Sequence, residues 1–390
     1  MNWDFMTATR IVYGLDSLKR LGEETARLGR HALLMTGQGS ARRSGALDQA
    51  TSILRAAGLA VTLYEGVEPD PTFATVNAAA DLARRQGCDV IVGLGGGSAV
   101  DAGKAVAGIA RWPYPVDDYY YTDRVLPGKG LPFVAVPTTA GTGAEVTKNA
   151  VLSDPARALK QSLRGDYLLA DVALVDPALT VSMPPDVTAS TGGDALTQAI
   201  ESYVSKNASP LTDALATQAI RLIGRSLQRA YHHGTDLAAR TDVALGSLLA
   251  GMALTNARLG AVHGLAHPLG VRFGLPHGLV CALLLPYEMA YNLRGDYPLV
   301  EVTRRKYAHV AELLGLDVTG LSPLQAGERA TDYVFKLNRE LGLDRRLHEF
   351  GVTEADLPIL AAESLPSGSL KANPRPPTQE EMEELLRRAL

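Results

Sequence analysis

Apolar residues along the first 180 positions fall into two alternating patterns. Short runs rich in Val, Leu and Ala, at Ala32 to Thr36, Ala60 to Tyr64, Val90 to Leu94 and Pro132 to Val136, read as strands. Stretches near 44 to 57, 72 to 86 and 98 to 110 separate them and repeat their apolar residues at helical spacing. That alternation implies right-handed crossovers and a mostly parallel sheet, with ligands at the carboxyl ends of its strands. After about residue 185 the pattern changes, and Asp186 to Ser205, Pro210 to Tyr231 and Leu237 to Thr255 follow one another as long helices with no clear strand between them. The expected organisation is an α/β domain with a Rossmann-like sheet over 1–183 and an all-helical domain over 184–390, with Pro184 and Pro185 as breakers at the boundary. KANPRPPTQ at 371 to 379 reads as a rigid connector before a last amphipathic helix.

Composition narrows the function classes. At 390 residues the chain is too long for a single small binding module. Lys plus Arg at 38 against Asp plus Glu at 42 leaves a net charge of -4, which gives no overall basic field for nucleic acid or an anionic membrane. Hydrophobic residues at 46% with charged residues at 21% are those of a globular chain rather than a disordered one. Cys88 and Cys281 form no C-x-x-C pair, which argues against a disulfide framework, a zinc finger or an iron–sulfur cluster and fits a reducing cytoplasm. The start MNWDFMTATRIVYG lacks a basic segment followed by an apolar core, and no apolar run approaches 18 residues, so neither secretion nor a membrane span is expected.

Two loops in the first half have phosphate-binding chemistry. VIVGL runs into Gly95, Gly96, Gly97 and Ser98, then a helical stretch with Asp101 and Lys104. Glycines let the backbone approach a pyrophosphate, and the amides of a helix N-terminus meet its charge. A G-x-G-x-x-G count from Gly93 ends on Ser98, and Ala105 after Gly103-Lys104 removes the magnesium-binding hydroxyl of a P-loop, so a kinase reading weakens. The next strand leads into Thr138, Thr139, Ala140, Gly141, Thr142 and Gly143, a second polar loop suited to phosphate, ribose or nicotinamide. Either loop alone is also ordinary turn chemistry.

The helical half carries a third constellation. Asp194 and Gln198 stand at i and i+4, His263 and His267 repeat that spacing, and His277 follows in LPHG. Four residues return a helical side chain to the same face. One carboxylate with two neutral imidazoles suits a divalent transition metal with a position open for a substrate oxygen. The bland alternative is a set of buried histidines satisfied by backbone groups. Val262, Leu265, Phe273 and Leu275 suggest either a small, weakly polar substrate or simply core.

Together GGGSAVDAGKA at 95 to 105, PTTAGTGAEVT at 137 to 147, and the block from HGLAHPLG to LPHG at 263 to 278 resemble the iron-containing, group III alcohol dehydrogenase family. STGGDALTQAIE at 190 to 201 and NPRPPTQEEMEELL are also family-like, so the resemblance covers nearly the whole chain. It implies the dehydroquinate synthase-like fold: an α/β domain holding NAD(P), a helical domain holding the metal, a small alcohol or aldehyde in the cleft between them, and a homodimer or larger homo-oligomer. By the resemblance, Gly95, Gly96, Gly97 and Ser98 bind the pyrophosphate with Asp101 nearby. Thr138, Thr139 and Thr142 line the dinucleotide, and Lys160 and Leu179 lie toward its ribose and adenine. Asp194, His263 and His277 match three of four metal ligands, for Fe2+ or Zn2+, and His267 matches the histidine beside the reacting centre.

Two departures from the family pattern matter. The fourth ligand is usually a histidine, whereas this chain has Gln198, a neutral and poorer donor. The alternatives are a site that includes Gln198 with a changed metal preference, or a reductase that works without metal. Many NAD-using relatives also place an aspartate at a strand end where this chain has Gly37. Without that carboxylate a 2′-phosphate is admitted, and Ser40, Arg42 and Arg43 are placed to bind it, which favours NADP over NAD. Rival readings are a cyclising lyase resembling dehydroquinate synthase, a glycerol phosphate dehydrogenase, and a non-catalytic nucleotide-binding protein. The first two need several basic residues, and Ala189 to Asn207 offers only Lys206.

Overall fold

The computed structural model describes residues 3–157 and 159–390. Its strands are β1 (Arg10–Tyr13), β2 (His31–Gly37), β3 (Ala60–Val67), β4 (Val90–Gly95), β5 (Phe133–Pro137), β6 (Asn149–Asp154), β7 (Leu159–Arg164) and β8 (Val172–Val175). Six of them form one sheet in the order β1-β8-β5-β4-β2-β3, and every pairing in it is parallel. The helices Ala46–Ala56, Phe73–Gln86 and Gly97–Ile109 supply crossovers. Even-numbered side chains on the inner strands, among them Leu34, Val92, Val134 and Leu174, pack on Leu18, Leu21, Leu47 and Leu54. The intervening residues Leu33, Ile91 and Ala135 are equally buried, as expected where helices cover both faces of a parallel sheet.

Strand order sets the ligand position. The chain leaves β2 for β3 on one side, then returns to place β4 on the opposite flank of β2. The loops after β2 and β4 therefore diverge at the switch point, where Thr36 is in register with Leu94. A crevice at such a reversal is where open parallel sheets hold their ligands. Three features go beyond the strands expected from sequence: β1 and β8 extend the sheet, and β6 pairs antiparallel with β7 in a separate ribbon.

The two compact units of the chain exchange between Ser182 and Met183, except that Ala140–Thr142 and a short N-terminal stretch group with the second, helical unit. Its principal helices are Pro185–Val204, Pro210–His232, Leu237–Ala257, Ala261–Phe273, His277–Asn292, Val300–Leu313 and Pro323–Glu340, followed by Leu357–Ser364 and Gln379–Ala389. Local signals explain where several start. Ser209, Ser322 and Thr378 form capping boxes, and Pro follows the first two where a helix tolerates its missing N–H. The Leu237–Ala257 helix is long and apolar enough, by length and composition, to cross a bilayer. Here it packs on Pro185–Val204 and Pro210–His232, and its buried Arg240 donates to Gly234 O, Thr188 Oγ1 and Met183 O, which is the setting of a core helix.

Candidate active site

In the α/β unit, β4 ends at Gly95 with φ +152°, a conformation that L side chains rarely adopt, and a Cβ there would lie 2.7 Å from Ala99 Cβ. Gly96 caps the Gly97–Ile109 helix, whose first amides face outward from the strand end. The helix lies tight on β4, because a Cβ on Gly103 would meet Phe133 Cε2 at 2.9 Å and Gly93 Cα at 3.2 Å. Thr138 N donates to Gly95 O at 2.8 Å, and Thr139 would lie 3.4 Å from a Cβ on Gly96. The two polar loops read from sequence are thus neighbours, with small residues where a phosphate needs access to backbone amides. Thr142 groups with the helical unit instead.

The remaining nucleotide candidates separate by what their side chains touch. Ser98 Oγ accepts from Asp70 N at 3.3 Å, and Lys160 Nζ donates to Asp70 Oδ1 at 2.7 Å, so Lys160 on β7 is linked to the glycine turn through one aspartate. Asp101 Oδ2 accepts from Val151 N at 2.9 Å, and its Oδ1 lies 3.5 Å from Lys104 Nζ. Lys104, also buried, donates to Ala144 O, Thr147 Oγ1 and Asn149 O. This pair braces the segment after the second polar loop. Burial, opposed by Lys104, pushes the neighbouring Glu145 carboxyl up to about 7. Leu179 packs against the sheet core. Gly37 ends β2, with Ser40 and Arg43 exposed beyond it. Arg42 is engaged in a bidentate pair with Glu65, Nε at 2.8 Å and a terminal nitrogen at 2.7 Å, which raises its pKa further.

In the helical unit three helices bring the metal candidates together. Asp194, Gln198 and Glu201 follow at i, i+4 and i+7 on Pro185–Val204, and all are buried. His263 and His267 lie on Ala261–Phe273, while His277 opens His277–Asn292. Gly193 faces Ala282 and Gly278 faces the Ser190 carbonyl, so the absence of side chains at both lets the first and third helices close. Asp194 Oδ1 stands 3.3 Å from His263 Nε2 and 3.8 Å from His277 Nε2. The His267 ring centroid is 6.0 Å from that of His277, at the partly exposed side.

Two residues that sequence reasoning did not assign complete the cluster. Cys281, one turn after His277, offers a sulfur that with Asp194, His263 and His277 forms a set of donor atoms all within 4.8 Å of one another. The same i, i+4 spacing used for the other pairs would have found it. Glu201 accepts from Val262 N at 2.8 Å and accepts a hydrogen bond from His263 Nδ1, which turns Nε2 toward Asp194. Behind it Glu288 Oε1 accepts from Ala261 N at 3.2 Å and from Asn292 Nδ2 at 3.2 Å, and Asn373 Nδ2 donates to Asn292 Oδ1 at 2.8 Å. Burial and repulsion from Glu201 hold the Glu288 carboxyl well above its ordinary range. Val262, Leu265 and Leu275 are buried in the core cluster shared with the C-terminal helices, and the partly buried Phe273 packs against it, so of the two readings of these residues the core one describes their packing.

The donor set fits a divalent ion. Asp194 Oδ1 and Gln198 Oε1 are buried and accept no hydrogen bond, an arrangement costly for a polar atom unless a cation satisfies it. Burial would raise the Asp194 carboxyl, but the His263 and His277 imidazoles, 3.3 and 3.8 Å from its Oδ1, hold it below its usual value. Burial would lower His263, yet Cys281, Glu201 and Asp194 raise it well above an ordinary imidazole. This excess of anionic character is what a metal would neutralise.

The sequence profile described as "Iron-containing alcohol dehydrogenase" matches residues 8–177, and that of the "Fe-containing alcohol dehydrogenase family, C-terminal" matches 188–390. The chain is 41% identical to the 1,3-propanediol dehydrogenase of Klebsiella pneumoniae, over 99% of this chain and 98% of that one. It is 35% identical to the NAD-dependent methanol dehydrogenase of Bacillus methanolicus, over 99% and 100%. A crystal structure of a 1,3-propanediol oxidoreductase superposes with a TM-score of 0.94 at 40% identity, covering 100% of both chains. With both halves of its sequence matched and its fold shared end to end, the chain belongs to the iron-containing alcohol dehydrogenase family of oxidoreductases.

Proposed function

We propose that the protein is a metal-dependent alcohol dehydrogenase and aldehyde reductase that transfers a hydride between a small alcohol and C4 of a nicotinamide cofactor, NADP(H) by preference. The observation that carries this reading is the convergence of buried Asp194 and His263 with the partly exposed His277, and His267 beside His277. A divalent ion held by those three residues, iron or zinc, would supply Lewis acidity to the substrate oxygen. Glu201 fixes the His263 tautomer so that Nε2 keeps its lone pair for the centre. His267 carries the hydroxyl proton between substrate and solvent, a task suited to a partly exposed imidazole. In oxidation the alcohol carbon loses hydride to the nicotinamide and its oxygen loses a proton toward His267; reduction reverses both.

On the α/β side, the amides that open Gly97–Ile109 and the glycine turn before them take the pyrophosphate, with Thr138 and Thr139 alongside. Gly37 at the end of β2 leaves room for a 2′-phosphate, with Ser40 and Arg43 exposed beyond it; Arg42 joins them only by leaving Glu65. A small substrate agrees with the names of relatives that act on 1,3-propanediol, methanol and lactaldehyde. Homo-oligomeric assembly and a cytoplasmic setting belong to the same reading, the latter supported by two free, buried cysteines.

The test is a purified protein stripped of metal, then reloaded with iron or zinc and assayed with NADH and NADPH on a panel of short alcohols and aldehydes. Turnover should vanish on stripping and return on loading, with NADPH bound more tightly than NADH. His267→Ala should lower kcat by about 100-fold or more while metal content and nucleotide affinity hold. Full activity in the stripped protein would establish the metal-independent alternative, and binding of nucleotide without turnover would remove the enzymatic reading.

A further inference from the structure

Cys281 is a buried nucleophile that the function proposed above leaves without a role. Its Sγ lies 3.6 Å from Nε2 of His263 and 3.6 Å from Nε2 of His277. Cys281 packs with the apolar cluster behind the histidine helix, but its sulfur faces two imidazole nitrogens and a carboxylate, which a cysteine kept only as a small hydrophobe does not need. Metal bonds of about 2.0–2.1 Å to nitrogen or oxygen and about 2.3 Å to sulfur place tetrahedral neighbours about 3.3 Å apart for a nitrogen–oxygen pair and about 3.6 Å for a nitrogen–sulfur pair. The distances here are 3.3 and 3.8 Å for the first kind and 3.6 Å twice for the second. Independently, Asp194 Oδ1 is buried, accepts no hydrogen bond and faces the same nitrogens.

We propose that the Cys281 thiolate is a ligand of the ion held by Asp194, His263 and His277, giving a carboxylate, bis-imidazole and thiolate set that selects zinc or cobalt over iron and would take the substrate oxygen as a fifth neighbour. The proposal rests on the reading that this site holds a divalent ion, and adds which donor sets its preference. On binding, the S–H bond breaks, a sulfur–metal bond forms and the proton leaves to solvent. One carboxylate and one thiolate match the two charges of the ion, a balance that the neutral amide of Gln198 does not provide. Sulfur donation also shifts selectivity toward softer ions.

The experiment uses the full-length protein loaded with cobalt(II) alone. A thiolate-to-cobalt charge-transfer band in the near ultraviolet should accompany one bound ion per chain. Cys281→Ser should abolish the band and weaken cobalt binding at least about tenfold, judging from the loss that even outer-shell partners of a metal cause. Cys88→Ser should keep the band. X-ray absorption of the wild-type zinc form, which needs no variant to fold, should show one sulfur neighbour at about 2.3 Å. Bound cobalt without the band, or a shell of nitrogen and oxygen only, overturns the thiolate and leaves the dehydrogenase reading in place. Alcohol turnover with no ion bound overturns both. A sulfur shell in a protein inert toward every alcohol supports the ligation and overturns the function instead.

Discussion

In the α/β unit the candidate nucleotide site is mostly backbone: the Gly95 turn, the amides opening Gly97–Ile109, and Thr138 tied to Gly95 O. In the helical unit the candidate metal site is all side chain, drawn from Asp194, His263, His277 and Cys281 on three helices. A backbone site depends on the path of the chain, which glycines permit and which many sequences reproduce. A side-chain site depends on the atom presented at each position, so a single substitution alters its chemistry while the fold stays the same. The contrast fits what sequence alone showed: the glycine loops and the spacing of Asp194, His263 and His277 were legible, while Cys281 was recognised as a fourth donor only from its position in the fold.

The contrast can be broken from either side. Asp194→Asn should have the largest effect, because it removes the carboxylate between His263 and His277. Metal affinity should fall by more than about 100-fold, beyond the range for outer-shell losses, and turnover with it. NADPH affinity, followed by fluorescence titration, should stay within about twofold, and a comparable loss of nucleotide binding would show that the two sites are not separable. Glu201→Gln comes next, with metal affinity expected to drop by about 10- to 100-fold through a misdirected His263, read by competition with a chelator. An unchanged affinity would make Glu201 a packing residue only.

From the other side, Gly95→Ala places a Cβ against Ala99 at φ +152°. The strain of about 1–3 kcal/mol should appear as nucleotide binding weakened about tenfold, with metal content unaffected. Normal NADPH binding in that variant would detach the turn from the cofactor. The smallest effect concerns pH. Burial raises the Glu145 carboxyl to about 7 in the folded protein, above its ordinary value of 4.5. The folded state therefore holds more protons than the unfolded chain in that window, and its contribution, complete below about 4.5, is lost as pH rises through 7. Buried Asp101 is shifted in the same direction. Between pH 5 and 8 the melting temperature should fall more steeply in the wild type than in Glu145→Gln, by about 1–3 °C, in thermal scans. Parallel slopes would place the titration elsewhere.

What could be read from sequence follows from the same physics. The inner strands β2, β4 and β5 were visible because burial on both faces makes them unbroken apolar runs between helices, and the edge strand β3 because its short run from Ala60 to Tyr64 stands between two helical stretches. β1 and β8 are four residues each, RIVY and VALV, too short to separate from buried helix or loop without knowing that they pair with each other. The β6–β7 ribbon mixes polar and apolar residues, NAVLSD against LKQSLR, with only Ala150, Leu152 and Leu163 buried, so no apolar run marked it. In the site, the histidine spacing pointed to the right helix faces. Counting cysteines for disulfides passed over Cys281, although its distance from His277 was in plain view. Glu201 carried no local signal, since its partner lies 62 residues along the chain. Arg42 looked available for a phosphate until Glu65 was found beside it.

The bracing behind His263 runs through Glu288 and Asn292 to Asn373, near the end of the chain. During synthesis every donor atom emerges before that last support does. A nascent protein would meet cellular metal with its ligands present but unlocked until Asn373 emerges, so removing the segment that carries Asn373 should disturb ion choice from a distance.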